Sequence, residues 1–146
     1  MKTKIELKTG LVSIARKSFD FQYAMETALH SRKNLEQLVT ELIVSEDSCI
    51  EEPSVAEKAL HHFKKEGVEA LIVQCGTFAS AEIVLTLIRQ LEVPIIIWAL
   101  PEPSLEGQVR SNSLVSANAI TSALYKIGVD FKFFYESAQE DRTYDI

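Results

Sequence analysis

The residues best suited to binding a ligand follow two apolar segments in the middle of the chain. Residues 70–73 lead into a loop of small and polar residues at 75–80, and residues 95–100 lead into a longer loop at 101–113. Uninterrupted apolar runs are typical of parallel strands that helices cover on both faces. Ligands of such sheets bind just beyond the carboxyl ends of the strands. These two loops are therefore the predicted functional part of the chain.

The first loop could bind an anionic or hydroxyl-rich ligand. Its residues 76–80, Gly-Thr-Phe-Ala-Ser, join a predicted buried strand to a predicted helix, where free backbone N–H groups attract negative charge. The alternative is that Thr77 or Ser80 only caps the helix. The loop lacks the Gly and Lys pattern of a phosphate-binding loop and the Gly pattern of a dinucleotide site.

The second loop offers charged and amide side chains. Arg110 carries a fixed fork of donors and Asn112 can both donate and accept, so the pair suits a polyol or a carboxylate ligand. The alternative is that Ser111 or Asn112 caps the next helix. Glu102 and Glu106 could serve as a general acid and base, or could be ordinary solvated loop residues.

The other reactive side chains favour structural roles. Cys75 ends the first apolar segment with no His near it in sequence, which favours a buried, unreactive thiol over a nucleophile. His61 and His62 lie in a predicted helix without a further His at the four-residue spacing, so a surface pair is favoured over a metal site. The sequence therefore predicts no catalytic residue and no metal ligand in this chain.

Composition limits the partners that the chain can have. Its 146 residues suffice for one domain with a real core, and its net charge of -6 argues against a non-specific nucleic-acid surface. The N-terminus has no apolar signal core, and no run is long enough to cross a bilayer. Two cysteines make no disulfide framework. We therefore expect a soluble, cytoplasmic protein with no nucleic-acid or membrane partner.

Hydrophobic periodicity predicts five strands separated by four helices. Strands are predicted at residues 10–15, 42–45, 70–75, 94–100 and 131–135, and helices at 54–66, 79–91 and 113–127 after a first helix that begins at residue 21. Asp20 is the predicted N-cap of that first helix, whose apolar stripe extends to Leu29. Ser54 and Glu57 have the spacing of a capping box, and Gly67 suits a left-handed helix end.

Strict alternation of strands and helices predicts a three-layer, doubly wound α/β fold around a five-stranded parallel sheet. We expect the flavodoxin-like strand order 2-1-3-4-5, whose crevice between strands one and three places Arg16 opposite Thr77. Residues 1–136 are predicted to form this single domain, and residues 137–146 an acidic tail or truncated linker. The acidic residues of a phosphoryl-accepting receiver and the hydroxyl-rich phosphate loop of a flavin carrier are both missing.

Residues 68–135 carry a resemblance to a known family. The segment reads Glu-Ala-Leu-Ile and Gly-Thr-Phe, then Trp-Ala-Leu-Pro-Glu-Pro, then Arg-Ser-Asn-Ser-Leu, and then Leu-Tyr-Lys-Ile-Gly before an aromatic strand. This pattern resembles the N-terminal domain of the L-fucose isomerase and L-arabinose isomerase-like sugar isomerases. The chain would correspond to the first part of such an enzyme only.

The resemblance implies a role in carbohydrate metabolism, in the interconversion of an aldose and a ketose with a divalent metal, usually manganese, that later domains bind. It implies that this domain closes over the active site of a neighbouring subunit in a homo-oligomer, holds no cofactor of its own and is inactive alone. The matching candidate sugar contacts are Arg16, Thr77, Phe78, Glu102, Arg110 and Asn112. The alternative is a stand-alone small-molecule-binding or protein-interaction module with the same fold.

Overall fold

A computed structural model describes residues 3–138 as five strands alternating with four helices. The strands are β1 (Ile5–Ile14), β2 (Val39–Val44), β3 (Ala70–Cys75), β4 (Ile95–Ala99) and β5 (Lys132–Tyr135). The helices are α1 (Phe21–Leu38), α2 (Pro53–Glu66), α3 (Ala81–Ile88) and α4 (Ser113–Lys126). All strand pairs are parallel, in the order β2-β1-β3-β4-β5. The predicted α/β class and strand order are confirmed.

The sheet separates two helical layers, because successive side chains of a strand point to opposite faces. Leu71 and Val73 of β3 face a core shared with α2, α3 and α4. Ile72, which lies between them, packs instead with Leu35 of α1. Trp98 of β4 is fully buried on the α1 side, and its Nε1 donates to a carbonyl just beyond β5 at 2.9 Å. The three layers are therefore those predicted.

A polar bridge crosses the layer between the sheet and α1. The amide of Gln74 in β3 accepts from Ser13 Oγ at 3.0 Å and donates to Ser31 Oγ of α1 at 2.6 Å. Gln74 and Ser31 are fully buried, where an unpaired polar group costs about 1–3 kcal/mol. The bridge therefore fixes where α1 lies along the sheet.

Two of the three predicted helix ends are confirmed. Asp20 caps α1, because its Oδ1 accepts from Tyr23 N at 3.0 Å. Gly67 ends α2 at φ 70°, a conformation that glycine reaches without a Cβ clash. The predicted capping box before α2 is wrong. The helix begins at Pro53 and no side chain caps it, because proline supplies the φ of a first helical residue and has no N–H to satisfy.

Several boundaries also differ from the predicted ones. β1 begins at Ile5 rather than at residue 10, and the polar composition of its exposed first half hid it. α3 spans only the eight residues Ala81–Ile88 rather than 79–91; at its start, Ser80 is the N-cap and a serine hydroxyl of α4 accepts from the N–H of Ala79. Leu29 is 52% exposed rather than part of the apolar stripe of α1, and Thr27 is buried instead.

The start of the predicted tail packs against the domain. Ala138 is buried, and its carbonyl accepts from the Asn34 amide of α1 at 3.0 Å. The rest of the tail predicted at 137–146 lies outside the described residues. No helix within residues 3–138 has the length and apolarity that a membrane span requires.

Gly76, directly after β3, lets α1 approach the sheet. A Cβ there would lie 2.9 Å from Ala24 Cβ and 3.2 Å from the Ile14 carbonyl oxygen, so backbone would have to move. We expect Gly76→Ala to lower the free energy of unfolding by about 1–3 kcal/mol in urea titrations. Gly10→Ala is the control, because its nearest atoms, at 3.1 Å, are side-chain ends that can yield. An equal or larger loss at Gly10 would contradict this account.

Candidate functional site

Three loops meet at the carboxyl edge of the sheet and bond to one another. They follow β1 (residues 15–20), β3 (residues 76–80) and β4 (residues 100–112), and together we call them the rim. Since β1 and β3 are neighbours and β3 and β4 are neighbours, the strand order alone brings the loops together. Each loop is joined to both of the others, so the rim is a closed ring of contacts.

The loops after β1 and β3 are joined through Thr77. Its Oγ1 accepts from the backbone N–H of Arg16 at 2.8 Å and donates to the carbonyl of Phe78 at 3.2 Å. Thr77 is fully buried, so its hydroxyl positions the residues on either side of the crevice. Ser80 caps α3, accepting from Glu82 N at 3.3 Å, as the capping alternative for this loop predicted.

The loops after β3 and β4 are joined by Phe78, whose N–H donates to the Ser111 carbonyl at 2.7 Å. Beside this bond, Ser113 at the start of α4 ties the two strand ends together. Its hydroxyl donates to the Cys75 carbonyl at 2.5 Å and accepts from Leu100 N at 2.8 Å. The first turn of α4 therefore fastens both loops to the sheet.

Glu102 fixes the shape of the loop after β4. Its carboxylate accepts from the N–H groups of Arg110 (3.0 Å), Ser111 (3.1 Å) and Asn112 (2.5 Å), and from the Ser111 hydroxyl (2.8 Å). The start of a helix attracts an anion, and here the chain supplies its own carboxylate just ahead of α4. Glu102 is thus half-buried and bonded within its own loop, whereas Glu106 is exposed.

The loops after β4 and β1 are joined by Arg110 and Asp20. Arg110 Nε and Nη2 lie 2.8 and 2.5 Å from Asp20 Oδ2, and the Asp20 N–H donates to the Arg110 carbonyl at 2.9 Å. The guanidinium also lies 5.6 Å from the Tyr23 ring centroid. The Tyr23 N–H and the Arg110 side chain together hold the pKa of Asp20 below its usual range. The Arg110 guanidinium is therefore bonded to another loop of the rim.

Three of the six candidate side chains make no hydrogen bond or ion pair within residues 3–138, and we call them open: Arg16, Asn112 and the half-buried Phe78, whose ring lies 6.0 Å from that of Phe19. Within residues 3–138, no carboxylate lies at salt-bridge distance from Arg16, whereas Lys17 beside it pairs with Glu51 at 3.4 Å. The exposed Arg16 guanidinium lies 5.9 Å from the Phe78 ring centroid. Asn112 is held at φ 55° at the start of α4, and its side chain makes no capping bond.

The backbone N–H of each open residue is hydrogen-bonded within the rim, whereas its side chain makes no hydrogen bond there. The N–H groups of Arg16, Phe78 and Asn112 donate to Thr77 Oγ1, the Ser111 carbonyl and Glu102 Oε1. The rim can therefore present a cation, an aromatic ring and an amide from a fixed frame. This chemistry suits a polar, hydroxylated ligand with an anionic group.

The remaining reactive side chains lie outside this arrangement. Cys75 is fully buried, and burial raises the pKa of its thiol to about 12, which fits the predicted unreactive role. Cys49 is also buried, with a pKa raised to about 12 for the same reason. His61 is exposed on α2, with Nδ1 3.0 Å from the Glu57 carbonyl.

The bonds to Glu102 predict a pH-dependent contribution to stability. Partial burial acts to raise the pKa of Glu102, but the hydrogen bonds from Ser111, Asn112 and Arg110 outweigh it and lower the pKa below its usual value. A lowered folded-state pKa stabilises the protein fully above the unfolded pKa, about 4.3, and this stabilisation is lost as the pH falls through the folded-state value.

We therefore expect Glu102→Gln to lower the free energy of unfolding at pH 7 by about 1–2 kcal/mol and to flatten its fall below pH about 4.5. Urea titrations from pH 3 to pH 7 measure both effects. Glu106→Gln, an exposed change in the same loop, is the control and should alter neither. Identical pH profiles for Glu102→Gln and the unsubstituted protein would mean that the hydrogen bonds to the Glu102 carboxylate contribute nothing to stability.

A family model described as "Fucose/sulfoquinovose isomerase, N-terminal domain" matches residues 10–144. Sulfoquinovose isomerases of Priestia aryabhattai and Priestia megaterium (strain ATCC 12872 / QMB1551) are each 25% identical over 131 residues, which is 88% of this chain and 29% of each relative. That of Alkalicoccus urumqiensis is 27% identical over 72 residues, 49% of this chain and 16% of the relative.

The matched segment begins within β1 and includes all three loops of the rim. The chain thus spans less than a third of the length of the two Priestia relatives. The family-model match confirms the resemblance found in the sequence. The chain belongs to the N-terminal domain family of the fucose/sulfoquinovose isomerases.

Proposed function

We propose that this chain is the N-terminal domain of an aldose–ketose isomerase and that its rim forms one wall of the sugar pocket. Family membership supports the reaction class. The observation that carries the role of the rim is its construction. Three loops at the carboxyl edge of the sheet, where ligands of such folds bind, are hydrogen-bonded together, while the side chains of Arg16, Phe78 and Asn112 make no hydrogen bond or ion pair.

The six candidate contacts divide by what their side chains do. Arg16, Phe78 and Asn112 touch the sugar: the guanidinium binds an anionic group, the ring packs on apolar C–H groups, and the amide bonds a hydroxyl. Thr77, Glu102 and Arg110 position them, because their polar groups already bond within the ring. These three affect binding through the loops that they hold.

The substrate that we propose is an aldose with an anionic substituent. The relatives are named sulfoquinovose isomerases, and sulfoquinovose carries a sulfonate. Sulfonate oxygens match the planar fork of a guanidinium. Arg16 is the candidate partner, because no carboxylate in residues 3–138 lies at salt-bridge distance from it, whereas Lys17 and Arg110 are paired with Glu51 and Asp20.

The metal of such an isomerase does not fit the side chains of this domain. Among residues 3–138, no group of three or more His, Cys, Asp or Glu side chains is arranged to hold a metal ion. The rim carboxylates of Asp20 and Glu102 are committed to Arg110 and to backbone N–H groups. We propose that the remainder of the complete enzyme supplies manganese or another divalent ion together with the base. We also propose that the complete enzyme is a cytoplasmic homo-oligomer.

The proposal predicts that this chain has no isomerase activity alone but supports activity as part of a complete enzyme. With manganese and sulfoquinovose, the isolated chain should form no ketose in an NMR assay. A chimera in which it replaces the matched N-terminal part of the Priestia megaterium sulfoquinovose isomerase should turn the sugar over. The unmodified relative and its truncated form lacking that part are the controls. A folded, assembled chimera without activity would contradict the proposal.

The same chimera tests the role of Arg16. We expect Arg16→Gln to raise KM for sulfoquinovose by ~10-fold or more, because a charge-assisted hydrogen bond contributes about 1.5–3 kcal/mol. Activity on L-fucose, which has no anionic group, should change little if that sugar is a substrate. Lys17→Gln is the matched control, because this neighbouring charge is paired with Glu51. Equal effects of the two variants on KM would remove Arg16 from the proposed pocket.

A further inference from the structure

The rings of Phe19 and Phe78 pair across the crevice between the loops after β1 and β3. Their centroids lie 6.0 Å apart, and their planes are inclined by 48°. Tilted aromatic pairs with centroids about 4.5–7 Å apart attract each other beyond the effect of burying their surface. The Arg16 guanidinium lies 5.9 Å from the centroid of the same Phe78 ring. Phe78 is therefore contacted by two side chains of one loop, Arg16 and Phe19.

This aromatic pair does not belong to the interior of the domain. Within residues 3–138, Phe19 and Phe78 are half-buried, yet neither packs with any of the three clusters of buried apolar residues that form the core. Four other phenylalanines lie in or against those clusters: Phe21, Phe63, Phe131 and Phe134. Filling the core is therefore not the reason for a ring at position 19.

The backbone holds Phe19 on a fixed turn. Its N–H donates to the Arg16 carbonyl at 3.0 Å, and its own carbonyl accepts from the Phe21 N–H at 2.8 Å. Between the two ends of the turn, the Lys17 N–H donates to Glu51 Oε1 at 2.8 Å. The turn contributes only main-chain groups to these bonds, so a change of the Phe19 side chain leaves them in place.

Arg16 is the side chain that gains most from such a support. It is long and exposed, and it has no salt-bridge partner within residues 3–138. A side chain of this kind loses rotamer freedom when it binds a ligand, and ordering it beforehand lowers that cost. A guanidinium stacked on a ring keeps its in-plane N–H donors available. The Phe78 ring can therefore support Arg16 without occupying the groups that would bind a sugar.

We propose that Phe19 is a positioning residue of the sugar pocket. Its ring holds the Phe78 ring, and through it the Arg16 guanidinium, in the orientation that meets the sugar, while Phe19 itself does not touch the substrate. This inference rests on the proposed function, because it assigns Phe19 a role only through side chains that contact the sugar.

Nitrogen-15 relaxation of the Arg16 Nε–Hε group in the 146-residue chain tests the support directly. We expect Phe19→Leu to lower the order parameter of this group, and Phe19→Tyr, which keeps the ring, to preserve it. Phe21→Leu is the matched control, because that neighbouring half-buried ring lies 5.7 Å from Lys17 Nζ. An Arg16 order parameter unchanged by Phe19→Leu would overturn the proposal.

The isomerase chimera described above tests the consequence for the sugar. Phe19→Leu should raise KM for sulfoquinovose by ~3–10-fold, with kcat changed less than ~2-fold, because an aromatic pair is lost while the reacting groups stay intact. Phe19→Tyr should restore KM. In a Phe78→Leu background, Phe19→Leu should change KM less than ~2-fold, because the ring that it supports is gone. Additive effects, or a fall in kcat alone, would contradict a role through Phe78.

The same variants separate this inference from the proposed function. If Arg16→Gln and Phe78→Leu raise KM but Phe19→Leu does not, only the role of Phe19 is overturned. If Arg16→Gln and Phe78→Leu both leave KM unchanged, the rim is not a wall of the sugar pocket, and both proposals fail. Circular dichroism should show that every variant is folded. An unfolded Phe19→Leu chain would make the ring structural and would overturn the positioning role.

Discussion

The arrangement of the rim depends on the carboxylate of Glu102. It accepts three successive backbone N–H groups and a hydroxyl at the point where α4 begins. Without it, the N–H groups of residues 110–112 would need water, and the segment before α4 would lose four of the bonds that fix its course. Ser111 bonds to Phe78 of the neighbouring loop, and Arg110 bonds to Asp20 of the third, so the order imposed by one carboxylate extends to the whole edge.

The interior of the domain beneath the rim also helps to hold the loops together. The Gln74 bridge fixes α1 against the sheet, and Asp20 at the start of α1 then meets Arg110. Gly76 permits the close approach of α1 to the end of β3, where Thr77 in the loop after β3 bonds to Arg16 in the loop after β1. The geometry of the rim thus depends on the packing of the interior, because a shift of α1 along its axis would separate Asp20 from Arg110.

Sequence patterns were sufficient for the architecture, because buried parallel strands appear as apolar runs and helix ends such as Asp20 and Gly67 have local signals. Where these signals were absent, the boundaries were wrong. The first half of β1 is largely exposed and polar, and Pro53 begins α2 ahead of a chance capping-box spacing. The strand order also placed Arg16 and Thr77 on facing loops correctly.

Pairings within the rim were beyond sequence reasoning, because they join residues far apart in the chain. Asp20 was recognised as a helix cap, but nothing local indicates that it also holds Arg110, ninety positions away. Glu102 has the same difficulty, since one carboxylate in a proline-containing loop has the pattern of a solvated residue. The three-dimensional contacts separate the side chains that build the loops from those that face outward.

The way in which Arg16, Phe78 and Asn112 enter the ring has a consequence for how such a domain can diversify. Each is anchored through its peptide nitrogen, a group that every residue except proline possesses. Under the proposed function, exchanging these side chains would change the chemistry offered to a sugar while leaving the anchoring N–H bonds in place. If the proposed function holds, selectivity can drift at Arg16 and Phe78 while the bonds that hold the loops are kept, whereas Asn112, at φ 55°, is limited to residues that tolerate the left-handed region.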